Sequence, residues 1–350
     1  MLTIRLGVID GGGRLNPVDL DYSQYGSVIT DGQSRVFFVA SHPRRPSRIV
    51  ELDVDRGTEE DVRANPDLVD PACIPDPQPI IFPTGDGDVA HVFYYPPTNP
   101  EFKGPHNEPP PLRVKIHGGP TANTYPVFTL DFLFWTSRGF GVADLNYRGS
   151  TGYGRAYRDQ LKGGWGDVDV EDAVAAARYL AEQGLAQPER LTITGASAGG
   201  FTTLAALVLH DTFAAGSSYF GVADLELLEE TTHKFESRYL DGLVGSQKAK
   251  RERSPISHLD GFDRPVILFQ GLEDEVVPPD QARMIADALD RRGVPHALVL
   301  YEGEDHGFRH AENITNAIES ELSFFGNVLG FQPAGDLASA DVRHLEAVRR

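Results

Sequence analysis

The sequence predicts an α/β fold, a mostly parallel sheet with helices on both faces, preceded by a small antiparallel β fragment. Three observations point there. From residue 79 onward, short apolar runs alternate with helical patterns, the order that builds parallel sheets from strand–helix–strand units. Before residue 66 the chain shows only short Val-, Ile- and Phe-rich segments separated by turn residues, with no helical period. Between them lies a proline-dense stretch that cannot form a regular element. The expected organisation is a β fragment over residues 1–65, a linker over 66–78, the main domain over 79–335 and a C-terminal tail over 336–350.

In the first segment, Gly26–Thr30, Arg35–Ala40 and Arg48–Asp53 read as strands. Asp31-Gly32 and the proline-containing turn His42–Pro46 separate them. In the main domain, Ile80–Phe82 and Val89–Tyr95 flank Gly85-Asp86-Gly87 as a hairpin. Leu112–Ile116, Gly141–Leu145, Leu191–Thr194, Ala214–Tyr219, Val266–Phe269 and Ala297–Tyr301 follow as short buried strands. Asp169–Glu182 repeats apolar residues at Val170, Val174, Ala177 and Leu180 behind an acidic first turn, which suits a helix N-terminus. Pro279–Arg292 opens on a proline and closes on arginines before Gly293. Ala311–Leu329 is a third helix, and residues 336–350 read as a fraying tail or one short helix.

Composition narrows the function. Of 350 residues, 51 are acidic and 32 basic, a net charge of −19. So negative a surface disfavours nucleic acid and anionic membrane as partners, since both attract basic patches. Cys73 is the sole cysteine, so no disulfide forms within the chain, and no basic group flanks the thiol to activate it. No apolar run reaches the ~18 residues of a membrane span, and Met1–Asp10 lacks a secretion-signal pattern. The expected location is the cytoplasm.

The chemistry centres on Leu191-Thr-Ile-Thr-Gly-Ala-Ser197-Ala-Gly-Gly, a strand followed by Gly-x-Ser-x-Gly-Gly and a helix. A serine at so sharp a turn has crowded neighbours. Glycines at 195 and 199 remove the side chains that would clash and lift Ser197 above the sheet edge. The Ala198 amide then lies at a helix N-terminus, where a developing oxyanion is favoured. A serine hydroxyl needs a base. In the α/β-hydrolase fold the acid and then the histidine follow the serine, on loops after later strands. Asp274, in Gln270-Gly-Leu-Glu-Asp-Glu-Val-Val-Pro, and His306, in Glu302-Gly-Glu-Asp-His-Gly-Phe, occupy those loops. Glu273 and Glu275 are alternative acids with a poorer offset. Of the other histidines, His210, His233, His258, His296 and His310 read as surface or capping residues. Leu112–Ile116 runs into His117-Gly118-Gly119-Pro120, which places the Gly119 N–H as second oxyanion donor and His117 as a brace.

These residues resemble a known family. His117-Gly-Gly-Pro, Asn146-Tyr-Arg-Gly-Ser-Thr-Gly-Tyr-Gly154, Gly163-Gly-Trp-Gly-Asp167, Gly195-Ala-Ser-Ala-Gly-Gly200 and Asp305-His-Gly-Phe308 are similar to the prolyl oligopeptidase family. The branch is that of acylaminoacyl peptidases and dipeptidyl aminopeptidases. The resemblance implies a serine peptidase acting on short peptides, capped by a β-propeller, with the Asn146–Gly154 loop beside the site. Arg148 in that loop is either a structural ion-pair partner or a substrate contact. The first 65 residues resemble a single propeller blade. The places where proline-specific relatives carry an aromatic residue hold Ala198 and the stretch Val222–Thr232, so proline stacking is not expected. Phe220, Val222, Leu225 and Leu228 are candidates to line an apolar substrate pocket, with core packing as their other role.

The expectation is acyl transfer to water without metal or organic cofactor. A carboxylesterase is the alternative, and a non-catalytic binding protein is the third class. A lone blade exposes sheet edges, so self-association is expected through it, with a more open site than a full propeller allows.

Overall fold

The computed structural model describes residues 4–66, 69–231 and 238–347; His233 and Thr232, named above, lie outside them. The architecture is a strongly buried eight-stranded sheet, a four-stranded antiparallel sheet and a two-stranded ribbon. The ribbon pairs β1 (Gly7–Ile9) with β2 (Leu15–Pro17). The four-stranded sheet runs in simple meander order through β3 (Gln24–Thr30), β4 (Arg35–His42), β5 (Arg45–Asp53) and β6 (Thr58–Ala64). Its own core holds Tyr22, Phe38, Ala40, Val50 and Leu52.

The large sheet opens with the antiparallel pair β7 (Gln78–Pro83) and β8 (Val89–Tyr95). It continues with the parallel strands β9 (Leu112–Ile116), β10 (Gly141–Asn146), β11 (Leu191–Ala196), β12 (Ala215–Tyr219), β13 (Val266–Gly271) and β14 (His296–Tyr301). The spatial order is β14-β13-β12-β11-β9-β10-β8-β7. From β9 the chain goes one way to β10 and then returns past β9 to β11. Strand order therefore reverses between β9 and β11, and in open α/β sheets that crevice at the strands' carboxyl ends is where ligands bind.

One face of the sheet is covered by α3 (Val168–Glu182), α4 (Ala198–Leu209), α5 (Leu225–Thr231), α6 (Tyr239–Leu243), α7 (Gln247–Arg253) and α8 (Pro279–Arg292), whose apolar residues share a core with it, and the short α2 (Arg155–Asp159) precedes α3 with no buried residue. The other face carries α1 (Leu130–Thr136) and α9 (Ala311–Leu329), packed over Phe93, Val142, Ile267 and Phe269. Covering on both faces explains why β10 and β13 are buried at every position, the polar Asp144 and Asn146 of β10 included. Helices α8 and α9 end on Gly293 and Gly330, both in the left-handed region at φ 69° and 74°, which suits glycine. No helix among the described residues is long and apolar enough to cross a membrane.

The structure departs from the sequence expectation in several places. The expected turn at His42–Pro46 is tighter than its bounds: β4 and β5 run into it, His42 pairs with Arg45, and only Pro43 and Arg44 make the turn. The proline-rich stretch is pinned rather than loose: Arg44 Nη1 donates to the Ile74 carbonyl at 3.0 Å and to Asp76 at 2.7 Å, and Nη2 donates to the Pro71 carbonyl at 3.1 Å. Two further ties join the small sheet to the large body, Ser23 Oγ to the Pro126 carbonyl at 2.7 Å and Phe128 N–H to the His42 carbonyl at 2.9 Å. Of the two expectations for the tail, the described residues 336–347 bear out the short helix, one turn over Leu345–Ala347, and they pack rather than fray. Arg343 forms a bridge with His296, and Leu337, Ala340, Val342 and Leu345 cover the α9 side of the core. Apolar residues at these spacings pack once a surface is available.

Candidate active site

The turn after β11 carries Ser197 at φ 57°, ψ −120°, a strained conformation for a non-glycine residue. The crowding behind it is backbone against backbone. A Cβ on Gly195 would lie 2.3 Å from the Gly199 carbonyl oxygen, and one on Gly199 would lie 2.3 Å from that of Ile116. Neither position accepts a side chain. Ser197 N–H donates to the Tyr219 carbonyl at 3.0 Å, tying the turn to β12. Helix α4 is held from α3, where the Asp169 carboxylate accepts from Thr202 Oγ1 at 2.5 Å and from Gly166 N–H at 2.6 Å. Burial raises the Asp169 carboxyl to about 6, against the lowering effect of those hydrogen bonds.

The three residues singled out as nucleophile, base and acid come together. His306 Nε2 lies 2.9 Å from Ser197 Oγ, and Nδ1 lies 2.8 Å from Asp274 Oδ2. Asp274 is buried, yet its oxygens are fully engaged. Oδ1 accepts from Val276 N–H at 2.9 Å and Val277 N–H at 2.8 Å, and Oδ2 also accepts from Gln270 Nε2 at 3.1 Å. These hydrogen bonds fix the carboxylate in one orientation against the imidazole. With Nδ1–H donating to it, the imidazole presents an unprotonated Nε2 to the serine.

Two residues outside the sequence reading hold this arrangement. Gln270, at the end of β13, positions Asp274 Oδ2. Glu304, two residues before the base, is 1% exposed and accepts from Arg309 N–H, His310 N–H and Asn313 Nδ2 at 2.8–3.0 Å. Burial acts to raise its carboxyl, but the hydrogen bonds from Asn313, Arg309 and His310 win and hold it down at about 2. The acid and base loops are also joined directly, Glu273 N–H to the Glu304 carbonyl at 3.0 Å. The sequence signal for Glu304 was weak: an acidic residue in a polar loop.

The loop after β9 brings Gly119, at φ 129°, to the same edge. The N–H groups of Gly119 and Ala198 have no hydrogen-bond partner among the described residues. His117 braces the loop: Nδ1 donates to the Gly118 carbonyl at 2.8 Å, Nε2 accepts from Ser150 Oγ at 2.8 Å, and the ring stacks on Tyr147 at 4.3 Å. Burial lowers its pKa to about 4, so it is neutral. Tyr239 Oη–H reaches Thr121 Oγ1 at 2.7 Å and adds a tie from α6.

The expected substrate-contacting residues divide. Phe220, at the strained φ of 37°, packs edge-on to the His306 ring, centroids 4.9 Å apart. Val222 and Leu225 are 2% and 0% exposed in the main core, which takes them out of an open pocket, and Leu228, half-buried, packs against that core. Arg148 is likewise structural. It is buried, with Nε on Asp172 at 2.9 Å, Nη2 on Glu171 at 2.8 Å and Nη1 near Asp88 at 3.6 Å. An arginine so engaged has no fork left for a substrate. His296 is buried rather than superficial, its Nδ1 bonded to the Val294 carbonyl. Among the described residues no group of three or more His, Cys, Asp or Glu is placed to hold a metal ion. A groove of about 1010 Å³ lies beside Thr136–Gly139 and Phe331–Gly335 and touches none of the three catalytic candidates.

The model of the prolyl oligopeptidase family matches residues 126–332. The chain belongs to that family. Relatives of the prolyl oligopeptidase family that it resembles include the dipeptidyl aminopeptidase BIII of Pseudoxanthomonas mexicana, 29% identical over 60% of this chain and 32% of the relative. The acylamino-acid-releasing enzyme of Mus musculus is 30% identical over 63% of this chain and 31% of its own length. Among solved structures, a puromycin-hydrolysing peptidase of Mycobacterium tuberculosis superposes with a TM-score of 0.94 at 43% identity, covering 97% of this chain and 53% of that one. The chain thus spans about half the length of that family member and about a third of these two curated relatives. The match over 97% of the chain includes most of the small antiparallel sheet as well as the large one.

Proposed function

We propose that the chain is a serine peptidase that hydrolyses the amide bond of short peptides and aminoacyl amides. One observation carries the reading: the continuous relay from Ser197 Oγ through His306 to buried Asp274, at 2.9 and 2.8 Å, on a strained strand-to-helix turn. In the proposed reaction Ser197 Oγ attacks the substrate carbonyl carbon as His306 Nε2 takes its proton. The amides of Ala198 and Gly119 hold the oxyanion. The C–N bond then breaks, the leaving nitrogen receives the proton from Nε2, and an acyl-serine remains. Water then attacks the acyl carbon as its proton passes to His306 Nε2, the bond from Ser197 Oγ to that carbon breaks, Oγ takes the proton back from Nε2, and the acid leaves. Asp274 holds the tautomer throughout and stabilises the imidazolium.

The 43% identity to a peptidase described as puromycin-hydrolysing supports a small aminoacyl amide as substrate. The exposed edges of the small sheet, with Val28, Ile29 and Val62 uncovered, support self-association through it, readable as mass by light scattering. A fluorophosphonate probe tests the mechanism, followed by turnover of puromycin, aminoacyl and acylaminoacyl β-naphthylamides, and simple esters. Labelling on Ser197 with amide turnover is the expected result. Turnover of esters alone would replace the peptidase by an esterase, and failure of Ser197 to label would end both.

A further inference from the structure

A second cavity, of about 280 Å³, lies between the ends of β9, β11 and β12 on one side and α9 on the other. Its apolar wall is formed by Ile116, Ala196, Tyr219, Phe308, Ile314 and Ile318. None of these carries a role in the relay, but the cavity adjoins it at two points. Ala196 immediately precedes the nucleophile, and Gly118 immediately precedes Gly119. The partition at Gly118 is bare backbone: a Cβ there would stand 3.6 Å from Ser197 Cβ and 3.1 Å from the Ala196 carbonyl oxygen.

Resting on the peptidase reading, we infer that this cavity receives the leaving-group side of the substrate and selects neutral, flat, apolar groups there. Position argues for the leaving group. The imidazole must hand its proton to the departing nitrogen, so that part of the substrate lies on the His306 side. Phe308, two residues after His306, walls the cavity and packs edge-on to Phe220 at 5.4 Å, whose ring in turn meets His306 at 4.9 Å.

Charge argues for a neutral occupant. Arg113 and Lys115 both reach the cavity, but each is already paired. Arg113 Nε and Nη2 bind Glu321 at 3.0 and 3.1 Å, and Lys115 Nζ binds Asp131 at 2.5 Å. Glu321 also accepts from Tyr219 Oη–H at 2.7 Å. Two cations against two carboxylates leave no net charge to attract an anion. Size argues for a ring system. An apolar cavity of about 150 Å³ holds one benzene, so 280 Å³ accepts a bicyclic group or an aromatic side chain. Ile314, 39% exposed, stands at the mouth.

The test uses the full chain and two substrates with one acyl group, a β-naphthylamide and a methyl ester. The kcat/KM ratio of naphthylamide to ester should fall about tenfold in Ile314→Trp, chiefly through KM, since a blocked apolar subsite costs a factor of about 10 or more. Without any substitution, 2-naphthylamine should inhibit competitively and 2-naphthoate should not. An unchanged ratio in Ile314→Trp, or equal inhibition by the anion, overturns the inference. Should Ile314→Trp not fold, the inhibitor pair decides alone. Methyl-ester turnover and fluorophosphonate labelling read the relay separately, so their success beside a failed ratio removes the cavity assignment only. Their failure removes the peptidase reading and this inference together.

Discussion

The two larger sheets of this molecule are built from similar strands and live under different constraints. In the eight-stranded sheet, β10 and β13 are buried along their whole length. In the four-stranded sheet, β6 is exposed at all seven positions and β4 hides only alternate residues. A strand packed on both faces is fixed by contacts along its whole length, so the loop leaving its carboxyl end is held firmly. Asp274 sits on the loop after β13, Ser197 and Gly119 on the loops after the nearly buried β11 and β9, and His306 on the loop after the partly covered edge strand β14. The small sheet has a one-sided core, touches the large body through a few polar ties, and supplies no member of the relay. Rigidity is concentrated where the chemistry is proposed.

That contrast can be broken or sharpened by substitution. The largest effect is expected for Ser197→Ala, a loss of about 10⁴–10⁶ in kcat with the melting temperature unchanged; turnover near the original rate would dissolve the special status of the large sheet. Next is Asp274→Asn, at about 10⁴ in kcat. An amide can still accept from Val276 and Val277 but turns the imidazole to the wrong tautomer, so single-turnover acylation should slow while substrate binding persists. In the small sheet, Phe38→Ala should cost about 3–5 kcal/mol, because Phe38 is 1% exposed in that core. Both tryptophans, Trp135 and Trp165, belong to the large body. Urea unfolding followed by their fluorescence should keep its midpoint while far-ultraviolet dichroism gains an earlier transition. A common shift of both signals would mean that the two sheets unfold as one body.

The smallest predicted effect depends on pH. Burial raises the Asp169 carboxyl to about 6, above its unfolded value near 3.9. The folded chain therefore binds that proton more tightly. The associated stability is fully present below about pH 4 and is lost as pH rises through about 6. Asp169→Asn removes the titration. Its stability relative to the parent should improve between pH 4 and 7 by a few kcal/mol, since each tenfold gain in proton affinity on folding is worth about 1.4 kcal/mol. Thermal melts across that range read the difference directly, and a constant gap would refute the assignment.

Much of this was legible in the sequence because some signals are purely local. The Gly-x-Ser-x-Gly-Gly turn is demanded by backbone collisions between residues four apart, and chain order then placed Asp274 and His306. Strands such as Val266–Phe269 declare themselves by unbroken apolar character. By contrast, Thr58–Ala64 is a strand only because β5 offers it partners; its residues, Thr-Glu-Glu-Asp-Val-Arg-Ala, carry no apolar pattern. Val222 and Leu225 could not be told from pocket residues, since an apolar side chain looks the same in a core and in a cleft. Gln270 and Glu304 act through contacts that form only in three dimensions. The Arg148 network also spans distant segments, but its structural alternative was visible.

The distance along the chain between partners has a consequence for the timing of synthesis. Ser197 and His306 are 109 residues apart, and Arg113 meets Glu321 across 208. At about 5–20 residues per second of translation, the nucleophile's turn leaves the ribosome about 5–20 seconds before its base. During that interval a growing chain carries an oxyanion loop and a serine hydroxyl with nothing to deprotonate it. The last helix then arrives to clamp Arg113 in the centre of the sheet. Activity of the proposed kind is thereby withheld until translation has passed the base and that helix, and the order of synthesis alone is enough to withhold it.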